Sequence, residues 1–329
     1  MPKVVRLYGR RLTVAGSHGD DYYRQIPDGA DLTDVVLRAL ESVVLPDSVC
    51  LDVGANIGLY SLGLSQLVRD GRVYAFEPSP GALEWLRRNL EANDVTNVEV
   101  VAGAVSDRVG TVDFHDVPFF TAGSFTAEES SYLASEAVGS TLVEVPCTTL
   151  DAFVESSGVE RVDVVKVDVE GAELSVLEGA KGLLARDRPT VVMEFNSFAF
   201  YLHHSVLPQV ALSRIQETFP HVFVIDRVDG SLSRLSTPAE AYRFLYLNGI
   251  HGPADNLLCS FSDLPVERSF RLPEAVSGPP PPDAQSAAAE VQAMKRTVSW
   301  RITAPLRAVR TSLDRQPALR RLLDRRRPG

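Results

Sequence analysis

The chain has only three cysteines in 329 residues, Cys50, Cys147 and Cys259, far apart and never as Cys-x-x-Cys. That spacing argues against a disulfide framework or a zinc knuckle, and a reducing compartment suits it. No apolar run approaches the roughly 18 residues of a membrane span. The opening stretch MPKVVRLYGRRLTVAG lacks the apolar core of a signal peptide. A soluble or peripheral protein is therefore expected, cytoplasmic or on the inner face of the membrane. Two phosphate-binding signatures are also missing. There is no G-x-G-x-x-G to bring paired glycines against a pyrophosphate, and no G-K-[ST] of a P-loop.

What is present is ordinary for a globular chain: 45% hydrophobic and 23% charged residues. The net charge of −10 argues against a nucleic-acid partner for the body of the protein. The charge is uneven. Residues 295–329 hold eleven Lys or Arg against two Asp, a net of +9, which leaves −19 on the rest. An acidic body carries a basic tail.

Strand-like and helical patterns alternate along the body. SVCLDV (48–53), GRVYAFE (71–77), NVEVVAGAV (97–105), VDVVKVD (162–168) and PTVVMEF (189–195) read as strands. Helices are expected at 58–69, 80–93, 172–185 and about 207–218, with further strands near 221–226 and 242–261. Residues 1–45 read as a β-rich lead-in with a turn at Gly9, then a helix capped by Asp31. Short connections between strands and helices imply an α/β fold: a mostly parallel sheet with helices on both faces. Domain bounds follow: lead-in 1–45, catalytic body 46–272, a Pro/Ala-rich linker 273–294 and the basic tail 295–329. Between GTVDFHDV and TLVEVPCTTLD lies a Ser/Thr/Ala-rich stretch that reads equally as a surface insertion or a substrate lid.

The stretch LDVGANIG (51–58) places Asp52, Gly54, Ala55, Asn56 and Gly58 where the first strand turns into a helix. Ligands of open α/β sheets bind at such carboxyl ends of strands. Gly54 allows close approach to a ligand, Gly58 close packing of the helix, and a helix start offers free N–H groups. A carboxylate at Asp52 favours a cationic or hydroxyl-rich ligand. Glu77, followed by Pro78, ends the second strand about 20 residues on, the place of a ribose-binding acid. An adenosine-like ligand without a diphosphate follows, and S-adenosylmethionine fits better than NAD. In KVDVEGAELSVLEGA, Lys166 and Asp168 end a buried strand, and Glu170, Gly171 and Glu173 follow at a helix start. They read as an internal ion pair with acids at a helix start, or as acids aimed into the cleft.

Six stretches taken together resemble the FkbM-type branch of class I S-adenosylmethionine-dependent methyltransferases. They are LDVGANIGLYS, VYAFEPSPGALEWLRRNLEAN, NVEVVAGAVSD, VPCTTLDAF, VVKVDVEGAELSVLEGA and VVMEFN, within about residues 48–196. The resemblance implies a Rossmann-like, seven-stranded class I fold. It places Asp52, Gly54 and Asn56 at the methionine end of the cofactor and Glu77 at the ribose. Ser106 and Asp107 fall near the adenine, and Asp168 faces cofactor and substrate. The family methylates oxygen on sugars, polyketides and related small molecules. The tail segment TVSWRITAPLRAVR looks like the terminal segment of bacterial enzymes and glycosyltransferases of cell-surface polysaccharide assembly, which tilts the acceptor toward a sugar hydroxyl.

A sugar hydroxyl is a weak nucleophile, so a base is expected among Asp168, Glu170, Glu194, His203 and His204, the two histidines in a loop after the fifth strand. These acids with a histidine would also suit a divalent metal, although no metal is expected. Tyr22 and Tyr23 are candidates to cover the cofactor or substrate. In the tail, Ile302, Leu306, Val309 and Leu313 share one helical stripe among arginines, which suits an anionic membrane surface or an acidic protein partner. A homo-oligomer is left open. The competing readings are an NAD-dependent oxidoreductase, a methyltransferase of a polyketide-like hydroxyl, and a non-catalytic module of a polysaccharide-assembly complex.

Overall fold

The computed structural model describes residues 1–118, 121–126, 140–251, 254–264 and 268–269. The linker, the tail and most of the Ser/Thr/Ala-rich stretch lie outside them. Among the described residues no helix is long and apolar enough to cross a membrane, and the three cysteines are free and buried.

The chain opens on a hairpin, β1 (Lys3–Leu7) and β2 (Arg10–Val14), then α1 (Asp21–Gln25) and α2 (Val35–Val43). The alternation follows: β3 (Val49–Val53), α3 (Leu59–Leu67), β4 (Arg72–Glu77), α4 (Pro80–Glu91), β5 (Val98–Ala102) and β6 (Ala104–Val105). Next come β7 (Gly110–Asp116), β8 (Phe125–Thr126), β9 (Thr141–Thr148), α5 (Leu150–Ser157), β10 (Val164–Val167), α6 (Glu173–Glu178) and α7 (Lys181–Asp187). The last elements are β11 (Thr190–Asn196), α8 (Ser197–His204), α9 (Pro208–Thr218), β12 (His221–Ile225), β13 (Leu232–Arg234), α10 (Pro238–His251), β14 (Ala254–Ser260) and β15 (Arg268–Ser269).

The main sheet runs β15-β13-β12-β14-β11-β10-β3-β4-β5. From β11 to β5 every neighbour is parallel, and β14 lies antiparallel between β11 and β12. Seven strands were expected. The structure has nine among the described residues, because the short β13 and β15 extend the edge beyond β12. The strand order reverses between β3 and β10: one half grows outward from β3 to β5, the other from β10 to β11. That reversal is where an open α/β sheet leaves a crevice for ligands.

Strand residues alternate between two cores. Leu51, Val53, Val165, Val167, Met193 and Phe195 face one, while Cys50, Val164 and Val192 face the other. The period of two then puts Asp52, Lys166 and Glu194 on the second side. Register sets Lys166 directly beside Asp52. The hairpin and α2 pack on this same side, through Val5, Leu7, Val14, Leu37 and Leu40.

Four local expectations are corrected. The strand expected near 242–261 is a helix as far as His251. Tyr, Phe and Leu there read as β by composition. Thr237 and Glu240 instead form a capping box: Thr237 Oγ1 accepts from Glu240 N, and Glu240 Oε2 accepts from Thr237 N. Asp34, not Asp31, caps α2 by accepting from Leu37 N at 2.9 Å. The stretch 97–105 divides at Gly103 (φ +149°), so that β5 joins the main sheet and β6 a second one, ordered β6-β9-β7-β8. The helix expected over 172–185 breaks at Gly179, where a Cβ would lie 2.0 Å from the Ser106 carbonyl oxygen.

Candidate functional site

The glycine turn after β3 needs its glycine. Gly54 has φ +82°, and a Cβ there would lie 1.8 Å from the backbone oxygen of Asp168. The ends of β3 and β10 are thus in contact. Gly54 N and Ala55 N both donate to the Phe76 carbonyl, at 3.0 and 2.9 Å. Asn56 follows with φ +50°. Its side-chain Oδ1 is buried without a hydrogen-bond partner, an unmet acceptor of a kind that proteins seldom leave. Gly58, with φ +94°, starts α3, and no side chain caps that helix. By contrast Asp34, Ser79, Thr149 and Asn196 cap α2, α4, α5 and α8.

Glu77 sits across from this turn at the end of β4. Its Oε2 accepts from Asn56 N at 2.7 Å and its Oε1 from Ser79 N at 2.8 Å. Burial pushes its carboxyl up to about 7, against the pull of those two backbone bonds. Pro78 is half-buried beside it. Asp52 is wholly buried under the turn, accepting from Ser61 Oγ at 2.6 Å and paired with Lys166 at 3.3 Å.

Lys166 is also 3.5 Å from Asp168 Oδ2 and donates to the Gly54 carbonyl at 3.2 Å. Its ammonium lies 4.6 Å from the centre of the Tyr60 ring. Burial alone would lower its pKa, but Asp52 and Asp168 together raise it. Tyr60 donates its hydroxyl to Asp34 Oδ2 at 2.8 Å. Tyr22 reaches the same neighbourhood. Burial, then the charges of Asp168 and Asp34, push its phenol up. Tyr23 instead packs in the core, its hydroxyl on the Met1 carbonyl.

Asp168, Glu170 and Glu194 each bring a carboxylate oxygen within 4.8 Å of the other two. Asn196 Nδ2 lies 3.5 Å from Glu170 Oε2 and 3.4 Å from Glu194 Oε2. Glu170 stands at φ +52°, a conformation costly for any side chain. Burial first, then Glu194 and Asp168, push the Glu170 carboxyl well above its usual range. Burial, then Asp168 and Glu173, do the same to Glu194. Glu173 is fully buried beneath the loop, its Oε1 accepting from Val169 N and Gly171 N. The spacing of the three acids suits a shared proton or a divalent cation. No histidine joins this group among the described residues.

The two histidines lie at the end of α8 rather than in a loop, and neighbours on a helix point apart. His203 Nδ1 is 3.0 Å from the Glu170 carbonyl, where it donates if protonated. Its ring stacks on Phe125 of the insertion at 3.8 Å and 9°, and Phe125 stacks in turn on His115. Burial lowers His203 to about 4, so it is neutral near pH 7. His204 lies against Gly171 and lines a different cavity of about 600 Å³ with Ser175, Glu178, Lys181 and Arg214. Asp107 lines that cavity too, and Ser106, buried beside it, donates to its carboxylate at 3.2 Å.

The structure thus brings Gly54, Asn56, Glu77, Lys166, Asp168, Glu170 and Glu194 to the strand ends around one crevice. Residues that the sequence reading passed over are Tyr60, Asp34, Asn196 and Phe125. Asn196 carried a signal, lying two residues past a recognised acid. Asp34 and Phe125 carried none.

Three curated relatives are similar to this chain. Methyltransferase sdnD of Sordaria araneosa is 34% identical over 39% of this chain and 59% of its own length. 2-O-methyltransferase NoeI of Sinorhizobium fredii is 29% identical over 44% and 61%. Hexuronic acid methyltransferase AglP of Haloferax volcanii is 31% identical over 54% and 66%. The first of these relatives is thus spanned over about three-fifths of its length. The model of the methyltransferase FkbM domain matches residues 52–222, from the acid under the glycine turn to the strand beyond α9, and the chain belongs to that family.

Proposed function

We propose that this chain is an S-adenosylmethionine-dependent O-methyltransferase acting on a hydroxyl of a sugar or a sugar-bearing small molecule. One observation carries the reading: at the reversal point of the strand order, a glycine turn, a ribose-type acid and a cluster of buried and half-buried carboxylates come together at the strand ends. The residues fit the donor. Asn56 Oδ1 is a buried acceptor awaiting a donor. The uncapped start of α3 offers N–H groups to a carboxylate. Glu77, held by two backbone bonds, keeps lone pairs for ribose hydroxyls.

S-adenosylmethionine, when bound, supplies a methyl group on a positively charged sulfur. The protein orients the acceptor hydroxyl in line with that methyl and takes its proton. Asp168 faces the donor's cationic end, and the Glu170–Glu194 pair is the proton acceptor. A carboxyl raised by burial and by a like charge holds a proton better near neutral pH than an ordinary one. The name of the relative AglP, a hexuronic acid methyltransferase, supports a sugar acceptor, and that of NoeI, a 2-O-methyltransferase, supports transfer to oxygen. The tail of residues 295–329 fits docking on an anionic membrane surface, where lipid-linked precursors of cell-surface polysaccharides lie.

Calorimetric titration of the full chain with S-adenosylhomocysteine and with NAD tests the donor. Binding of NAD alone, or of neither, overturns the reading. With labelled methyl donor and a panel of glycosides, Glu170→Gln is expected to lower kcat by about a hundredfold or more and leave donor affinity intact. Near-wild-type turnover would remove the pair as the base.

A further inference from the structure

We propose that Lys166 is a positioning residue of the donor site, holding the Gly54 carbonyl and the Asp168 carboxylate in the arrangement that receives the amino-acid end of the donor. The inference rests on the donor reading above.

A lysine in a central strand, 3% exposed, calls for a reason. An ion pair alone is a weak one, since a well-packed apolar pair of similar volume often serves stability as well. The contacts of Lys166 are not those of one pair. Its ammonium donates to the Gly54 carbonyl in the turn and forms ion pairs with Asp52 on β3 and with Asp168 past the end of β10, so it meets three segments at once. The Tyr60 ring covers it on a further side. With its head buried among these partners, the lysine acts through them rather than on a ligand.

It is not needed to bring those segments together. The backbone of Gly54 already touches that of Asp168, and Asp168 N donates to the Val53 carbonyl at 3.0 Å. What the lysine adds is the direction of one peptide carbonyl and one carboxylate. The Asp168 side chain is 35% exposed while that of Asp52 is closed off, so the lysine anchors one acid inside and steers the other at the mouth of the crevice. Only one oxygen of Asp168 is held, and the second is left to accept from a cationic ligand.

Two roles for this lysine predict opposite signs. A buried positive charge near the site of the donor's ammonium repels it, so a lysine that contributed only charge would weaken binding, and its removal would tighten it. A positioning lysine, when removed, frees Asp168 to turn away and weakens binding. The effect should also be confined to the amino-acid end, because the ribose-type acid Glu77 hangs on Asn56 and Ser79 and not on Lys166.

The test compares S-adenosylhomocysteine, which carries the amino-acid end, with methylthioadenosine, which lacks it, by calorimetry on the full chain. Lys166→Met is expected to weaken S-adenosylhomocysteine by about tenfold or more, the scale of one charged hydrogen bond, and to leave methylthioadenosine within about twofold. Should that variant fail to fold with Asp52 left unpaired, the double variant Asp52→Asn, Lys166→Met removes both charges and is expected to show the same selective loss. Equal loss of both ligands, or unchanged or tighter binding of S-adenosylhomocysteine, overturns the proposal. A wild-type chain that binds neither ligand refutes the donor reading instead.

Discussion

Gly54→Ala tests whether the contact between the glycine turn and the end of β10 is as tight as the geometry says. The new Cβ would start 1.8 Å from the Asp168 backbone oxygen, and real Cβ atoms essentially never come within 3.0 Å of a neighbour. The turn and the strand end must therefore part by more than an ångström. That displacement stretches the bond from Asp168 N to the Val53 carbonyl, now 3.0 Å, and its loss costs about 1 kcal/mol. Holding an alanine at φ +82° adds roughly 1–2 kcal/mol. The total is about 2–3 kcal/mol, or a fall in Tm of roughly 4–12 °C for a domain of this size. Gly158→Ala is the control. Its φ is +65° with nothing within 4 Å of the added carbon, so only the backbone cost applies. That is roughly 1–2 kcal/mol, or about 2–8 °C. Scanning calorimetry on both variants decides. Equal shifts would refute the idea that the two strand ends meet here, and Gly54→Ala should in addition lose S-adenosylhomocysteine binding.

Two further outcomes are expected. Glu77 and Glu173 are both raised by burial from 4.5 to about 7. A raised carboxyl favours the folded state fully below pH 4.5, and the benefit is lost as pH climbs through about 7. His203, lowered from 6.5 to about 4 by burial, acts in the opposite sense and only below pH 6.5. From pH 6.5 to 8, then, melting temperature should fall, and Glu173→Gln should flatten the slope; a rising wild-type curve contradicts the assignment. Phe125→Ala removes the ring between His115 and His203 and should cost about 3 kcal/mol or more by leaving a cavity. Because that ring packs on His203, whose Nδ1 reaches the carbonyl of the proposed base Glu170, KM for the acceptor is expected to rise with donor affinity unchanged, and a loss of donor affinity instead would overturn this placement.

The crevice was legible because its signals are local. A strand of period two, a breaker glycine and an acid at the strand end all lie within a few residues in LDVGANIG, VYAFEP and KVDVEG. The error over 242–251 has the same root. Composition was read there as β, although Thr237 and Glu240 already marked the start of a helix. Phe125 and Asp34 were out of reach. Phe125 gains its role from His203, 78 positions on, and Asp34 from Tyr60, 26 positions on. No spacing rule spans such gaps.

The sequence by itself determined the parallel sheet, the glycine turn at the end of its first strand and the kind of acids around it, because side-chain period and backbone freedom are properties of short segments. Tertiary structure alone decided how those acids divide the work. Asp52 and Asp168 read alike in sequence, as acids at the ends of core strands. The register of β10 beside β3 sets Lys166 against Asp52 and buries that acid under the turn. Asp168 stands at the crevice mouth, where Glu170 and Glu194 arrive from a strained loop and a neighbouring strand. Burial and the charges of neighbouring acids then hold those two above the usual carboxyl range, a property that belongs to the cluster and to none of its members alone.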